Sequence, residues 1–309
     1  MTGAGTELDP YIITSKADLQ AIEDELDAYY ELGGNVDASG AAFTPITAFT
    51  GQLDGKDYTI SDMVVSSTYG GLFYTNGGTI TRVKLTSVDI TGTQAGSIAC
   101  YNTGTITKCS STGAISASGQ VGGFVQWNNG GTIDQCWTSC AITSSGAVDR
   151  AGGFVQWNNA GTITNCYATG SMTGSGAGWA GGFAQINDGT LDDCYSIGAM
   201  AEYSIGQGGF CQSDTGTITN CFWDTETSGE ASSDGGTGKT TAQMKTQSTF
   251  TDAGWNFTAI WGIATNINSS YPHLLVFGYP TVGNIAWVGN YLVGVDYNGN
   301  RRKILGDLY

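Results

Sequence analysis

The pattern of apolar and polar positions repeats along the chain between residues 70 and 221. Four copies are clear and two earlier ones are degenerate, and all share a Gly-Thr-Ile or Gly-Thr-Leu core. The threonine of this core lies at positions 79, 105, 132, 162, 190 and 217, so successive copies are 26, 27, 30, 28 and 27 residues apart. A fixed period in this range predicts one supersecondary unit per repeat, stacked on its neighbours.

Within each copy, apolar and polar residues alternate with a period of two, as in a strand that buries one face. Isoleucine or leucine follows the core threonine, and glycine precedes it in every copy, which predicts a tight corner whose backbone angles favour glycine. About 28 residues with this much Gly, Thr and Ser cannot supply two helices. The pattern therefore predicts an all-β fold, a parallel β-solenoid in which each repeat forms one coil.

Equivalent residues of successive repeats form columns along the stack, and two of these columns are expected to form ladders. Asparagines three residues before the threonine can bond each other from coil to coil, and cysteines four residues after it can pack as small buried side chains. The columns are Asn76, Asn102, Asn129, Asn159 and Asn187, and Cys109, Cys136, Cys166, Cys194 and Cys221. In-register side chains give poor disulfide torsions, so a reduced ladder is expected. A bridge between Cys136 and Cys140 stays open as the exception.

Aromatic residues form the columns most suggestive of binding. If the column cysteine points inward, the next residue points outward, which places Trp137, Tyr167, Tyr195 and Phe222 on one outer face. Trp127 and Trp157 stack in another column at a corner. Aligned outer aromatics indicate either a protein interface or a platform for sugar rings. The alternative is that loops of the terminal segments cover them.

The flanking sequence predicts four segments. Residues 1–35 form an N-terminal cap, in which Ser15 begins one amphipathic helix over the following KADLQAIEDELDAYYEL. Residues 36–225 form the solenoid and 226–275 a C-terminal closing segment. Residues 276–309 have three apolar runs separated by Asn-Gly turn signals, which predicts a β-meander. This tail is either an attachment or oligomerisation element or a longer cap.

Charge and composition exclude several functions. The net charge is −16, and Arg150 is the only basic residue between Lys108 and Lys239, which argues against nucleic acid. No apolar run could insert into a membrane, and no Cys or His spacing predicts a metal or other cofactor. The coil carboxylates lie far from basic residues, so no enzyme is expected. Met1 precedes a polar stretch, which indicates either a cytoplasmic product or a removed leader.

The copy GGFVQWNNAGTITNCYATGSMTG, from Gly152, resembles the GLUG-type repeat of bacterial surface proteins, adhesins and some phage proteins. CFWDTETSGEASSDGGTGKTTAQMK, from Cys221, resembles the segment that closes such arrays, and residues 5–22, 29–40 and 49–63 resemble their beginning. The resemblance covers residues 3–275 and implies a right-handed parallel β-helix. It implies no shared catalytic motif, because the family is scaffold-like.

These observations favour a non-enzymatic structural or adhesive protein of a phage or virus-like particle, such as a fibre, spike or capsid decoration in the virion. The alternative is a secreted adhesin on the bacterial cell surface, and a glycan-active β-helix enzyme comes third. The expected partners are other protein subunits, either further copies or particle proteins, and a cell-surface glycan.

Overall fold

The computed structural model of the protein describes residues 1–146, 149–278, 285–288, 291–295 and 301–303. The chain divides into two compact units, Met1–Thr241 and Ala242–Tyr309. In the first unit, short parallel strands stack coil upon coil into a β-solenoid of about seven turns. The predicted fold class is therefore confirmed.

Three parallel sheets, which we call walls A, B and C, surround the solenoid core. Within the described ranges wall A has nine strands: Tyr11–Ile13, Tyr29–Leu32, Gln52–Asp54, Thr79–Thr81, Thr105–Thr107, Thr132–Asp134, Thr162–Thr164, Thr190–Asp192 and Thr217–Thr219. Wall B has seven in the same part of the chain: Ile46–Phe49, Phe73–Asn76, Ala99–Asn102, Val125–Asn129, Val155–Asn159, Ala184–Asn187 and Cys211–Asp214.

Wall C is a branched sheet, because long strands in the early coils pair with several shorter ones in the later coils. Its strands are Val36–Asp37, Thr59–Ser61, Val64–Ser66, Tyr69–Gly70, Lys84–Ala95, Ser110–Gly122, Trp137–Thr138, Ala141–Ser144, Asp149–Gly152, Tyr167–Ala168, Met172–Gly176, Gly178–Gly181, Tyr195–Ser196, Met200–Tyr203, Gly206–Gly208, Phe222–Asp224 and Thr237–Lys239.

The predicted alternation places the apolar residues of wall A in the core. Thr79 pairs with Thr105, and Ile80 with Ile106, so identical residues are stacked in register. Ile80, Ile106, Ile133, Ile163 and Leu191 are completely buried. A second core column consists of phenylalanines that follow the Gly-Gly turn between walls C and B. The rings of Phe124, Phe154, Phe183 and Phe210 stack at centroid distances of 4.7–5.0 Å.

The glycine before each core threonine is needed for a reason that the sequence did not indicate. Gly78, Gly104 and Gly189 are not among the residues with positive φ angles, so no left-handed conformation is involved. A Cβ on Gly104 would instead lie 2.1 Å from the backbone oxygen of Gly78 in the previous coil. The column is therefore glycine because coils approach each other closely at this corner.

The N-terminal helix is shorter than predicted. Ser15 caps it as expected, because its Oγ accepts from the Asp18 backbone N–H at 3.1 Å. The helix covers only Lys16–Gln20 and continues as a 3-10 turn, Ala21–Asp24. Tyr29–Leu32 is a strand that pairs with two strands of wall A. This nonlocal pairing overrides the helical spacing of the apolar residues in the sequence.

The remaining elements are short. Helices cover Thr225–Ser228, Thr241–Met244 and Gln247–Thr251, and 3-10 turns cover Asn268–Ser270 and Leu275–Phe277. Trp261–Gly262 pairs antiparallel with His273–Leu274. The tail strands Ile285–Val288, Tyr291–Val295 and Arg301–Lys303 form an antiparallel sheet in that order, the predicted meander.

Candidate binding face

A ladder of buried asparagine side chains runs along the end of wall B. In each step an Nδ2 donates to the Oδ1 of the next coil at 2.7–2.9 Å. The ladder consists of Asn76, Asn102, Asn128, Asn158 and Asn187, and it ends on the carboxylate of Asp214. The sequence pattern predicted Asn129 and Asn159 in place of Asn128 and Asn158, and this prediction is wrong by one residue.

The error has a local cause. The two coils concerned have one more residue between the ladder asparagine and the core threonine than the other coils have. The extra residue produces a bulge at Gly130 and Ala160, whose φ angles are 76° and 54°. Asn129 and Asn159 are consequently displaced to the outer surface. There the Nδ2 of Asn159 donates to the Oδ1 of Asn129 at 2.7 Å.

Trp127 and Trp157 lie side by side on wall B of neighbouring coils. Their ring centroids are 4.8 Å apart and their planes are within 1° of parallel. Tyr101 continues the row at 5.5 Å from Trp127, and all three rings are half-buried. The Nε1 of Trp157 donates to the Oδ2 of Asp188 at 2.8 Å, whereas that of Trp127 has no acceptor in the described part of the chain.

A row of glutamine amides lies beside the tryptophans, one residue earlier in each coil. Each Nε2 donates to the Oε1 of the next coil at 2.7–2.8 Å. The row consists of Gln126, Gln156, Gln185 and Gln212. The Nε2 of Gln126 also donates to Gln120 on wall C at 3.1 Å, which links the two walls. This buried row was not anticipated from the sequence.

The edge of this region on wall C carries a single cation. Gln120, Arg150 and Trp179 follow one another in register along three coils. The Arg150 guanidinium lies 5.5 Å from the centroid of the Trp179 ring, within the range of a cation–π contact. The coils of Trp127 and Trp157 share the identical sequence Gln-Trp-Asn-Asn. We use the name QWNN face for their outward residues together with this edge of wall C. The face consists of Trp127, Asn129, Trp157, Asn159, Gln120 and Arg150.

A polar groove of about 390 Å³ ends in the coil of Trp127. Glycines of successive coils are among its lining residues, which include no ionisable side chain. Its principal lining residues are Gly51, Gly78, Gly104, Thr79, Thr105 and Thr132. The groove thus offers threonine hydroxyls at intervals of one coil.

The second aromatic column does not form the exposed face that was expected. Tyr167 and Tyr195 are 2% and 0% exposed, Phe222 is buried, and Trp137 is half-buried. The Tyr167 ring stacks on those of Trp137 and Tyr195 at 5.7 and 5.0 Å. The Lys239 ammonium lies 5.7 Å from the Phe222 ring. The outward direction expected for these residues therefore did not lead to exposure.

The five column cysteines lie in the core as thiols, and all eight cysteines of the chain are free and buried. Their Sγ atoms lie 3.0–3.3 Å from the carbonyl oxygen two residues earlier. Burial raises the pKa of Cys109, Cys166 and Cys221 well above the ordinary thiol value. A neutral buried thiol is a poor nucleophile, so these three residues contribute to packing rather than to chemistry.

Among the described residues, no cluster of three or more His, Cys, Asp or Glu side chains is placed to hold a metal ion. The helices of that part of the chain are all too short or too polar to cross a membrane. His273 is buried, and burial lowers its pKa to about 4. The side chains of the QWNN face offer amide hydrogen bonding, aromatic contact and one guanidinium.

Two curated proteins resemble parts of the chain, and no family model matches it. Halomucin of Haloquadratum walsbyi is 40% identical over 117 residues, which cover 31% of this chain and 1% of halomucin. A "Putative Gly-rich membrane protein" of Evansella cellulosilytica is 48% identical over 59 residues, which cover 19% of this chain and 6% of that protein. The chain thus spans a small fraction of either relative, and the GLUG resemblance remains an expectation.

Two solved structures share the fold. One, described as a "putative immunoglobulin A1 protease" from Bacteroides ovatus, superposes with a TM-score of 0.72 at 19% identity and covers 89% of this chain and 94% of that one. An IgA1 protease superposes with a TM-score of 0.58 at 20% identity and covers 69% of this chain and 19% of that one. At this level of identity the likeness shows a shared β-helix.

The prediction that the protein is no enzyme is wrong on this comparison, because both structures with this fold are described as proteases. The prediction rested on the scarcity of basic residues near the coil carboxylates. This scarcity bears only on acid–base chemistry within the coils. The fold therefore does not exclude enzymatic activity.

Proposed function

We propose that the chain is the β-solenoid part of a cell-surface protein and that its QWNN face contacts material outside the cell. The observation that carries this proposal is the outward position of stacked tryptophans and paired asparagines in two adjacent coils of identical sequence. Large aromatic and amide side chains on a rigid support lose little conformational entropy when they bind.

The named relatives support a surface location. One is called halomucin and the other a Gly-rich membrane protein, and they are 40% and 48% identical to parts of this chain. A net charge of −16 also suits an extended β surface that must stay apart from its neighbours. A GLUG-type bacterial adhesin is the specific form of this proposal that the sequence resemblance suggests.

The role in a phage or virus-like particle, which was the first expectation from the sequence, rested on the polar residues after Met1, the rod-like scaffold and the separate C-terminal tail. The surface role has support from named relatives, and we therefore place it first. Both roles use the solenoid as a scaffold that displays one of its walls.

Surface labelling tests the proposal. Antibodies against the solenoid should label intact cells of the organism that encodes the chain, and external protease should remove the label. A cytosolic marker enzyme should stay protected in the same sample. Labelling only after lysis would contradict the proposal, and labelling of purified virus particles would support the particle role instead.

A further inference from the structure

We infer that the QWNN face and the adjoining polar groove bind a neutral polysaccharide that lies along the solenoid. The inference rests on the proposed function, since the face must be accessible outside the cell. It goes further by assigning the chemical class of the ligand.

The exposed amides have unused hydrogen-bonding capacity. Asn129 and Asn159 share one hydrogen bond, in which Asn159 is the donor. Each amide can donate twice and accept twice, so donors and acceptors remain on both side chains. Sugar hydroxyls also donate and accept, and they match such a mixed surface. The stacked rings of Trp127 and Trp157 present their edges beside these amides.

The dimensions fit an extended polymer. Centroid distances of 5.5 and 4.8 Å separate Tyr101, Trp127 and Trp157, a step comparable to one pyranose unit of an extended chain. The groove continues this direction over several earlier coils and supplies threonine hydroxyls once per coil. A single monosaccharide would contact only one coil. A chain of several sugars would use the amides, the ring edges and the groove together.

The charge and backbone of the region disfavour other ligands. Arg150 is the only cation of the QWNN face, too few for nucleic acid or a strongly anionic polymer. Each wall B strand here pairs with a strand on both sides, so an extended peptide cannot add as a further strand. A protein interface generally has an apolar centre, whereas the groove is lined by hydroxyl, amide and backbone groups.

Affinity gel electrophoresis tests the inference with the full chain. The probes are soluble cellulose derivatives, xylan, mannan and glucan, with heparin as an anionic comparison. At least one neutral polymer should retard the wild-type protein. The double variant Asn129→Ala/Asn159→Ala should weaken that retardation at least tenfold. Thr143→Ala, an exposed change on wall C, should leave it unchanged.

Thermal unfolding of each variant separates loss of binding from loss of folding. The double variant Asn129→Ser/Asn159→Ser provides a second test with small polar side chains. Retardation by heparin alone, or by no polymer, would overturn the inference. So would a double variant that binds as the wild type does. Concentration-dependent sedimentation that the double variant abolishes, without polysaccharide binding, would show that the face contacts a second copy instead. None of these outcomes depends on surface labelling, so the two proposals can fail separately.

Discussion

Adjacent asparagines in the sequence have opposite environments in the structure. Asn128 is completely buried and bonds to Asn102 and Asn158, whereas Asn129 is exposed on the outer surface. Which of two neighbouring asparagines enters a ladder is decided by one extra residue at the corner that follows. The difference can be measured directly.

We expect Asn128→Ala to lower the free energy of unfolding by about 2–4 kcal/mol, because it leaves one donor and one acceptor unpaired in the interior. Asn129→Ala should change it by less than about 0.5 kcal/mol, since that side chain is exposed. Urea unfolding of both variants checks this. Equal effects would contradict the placement of the ladder.

Asp193 makes stability depend on pH. Burial, with the charge of Asp192 beside it, raises the pKa of the Asp193 carboxyl to about 6 from the ordinary value of 3.8. The folded state therefore favours the protonated carboxyl. The contribution of this group to the free energy of unfolding is fully present below pH 3.8 and is lost as the pH rises to about 6. Asn165 and Asn220 occupy the same column with similar positive φ angles.

Asp193→Asn should therefore unfold at a higher urea concentration than the wild type at pH 7 and at a similar one near pH 3.8. The exposed change Asp252→Asn provides the control for loss of one charge. The measurement is the urea midpoint between pH 3.8 and 7. A wild-type midpoint above that of the variant at pH 7 would refute the expectation.

At the scale of elements, the corner between walls B and A depends on close coil-to-coil approach. Gly104→Ala would place a Cβ against backbone that cannot rotate away, so we expect a loss of about 3 kcal/mol. Gly34→Ala is the matched control, because no atom lies within 4 Å of the added Cβ there. Thermal unfolding should show a large shift for the first variant and little for the second. Similar shifts for both variants would indicate that the substitutions act through backbone entropy rather than through the close approach of coils.

The sequence predicted elements well where one rule governed all copies. The period and the alternation determined wall A and its buried isoleucines, such as Ile133. The predictions failed where contacts between residues far apart in the sequence determine the structure. Tyr29–Leu32 pairs with strands that precede and follow it, and Tyr167 is buried, with its ring stacked on rings of adjacent coils. Gln120 and Gln126 meet across a turn between walls, a contact that no periodicity indicates.

At the scale of the whole molecule, charge is expected to control association. The chain carries −16 at pH 7, and its calculated isoelectric point is near 4.1. Mutual repulsion should keep the protein dispersed at pH 7 and disappear near pH 4.1. Dynamic light scattering should then show larger particles near pH 4.1 than at pH 7. The opposite order would show that attraction between copies is not limited by charge.

The buried asparagine ladder has one polarity throughout, which its last member and the backbone beside the amides determine together. An amide side chain can be turned over with little change in shape, but a carboxylate can only accept hydrogen bonds. Asp214 therefore requires the Nδ2 of Asn187 to face it, and each earlier amide must follow the same orientation. The amide dipoles add along the axis, with the positive end at the aspartate charge. The carboxylate and the glycine carbonyls that accept from the same amides thus align an electric moment through five coils, and Asp214→Asn would remove one of the groups that fix its direction.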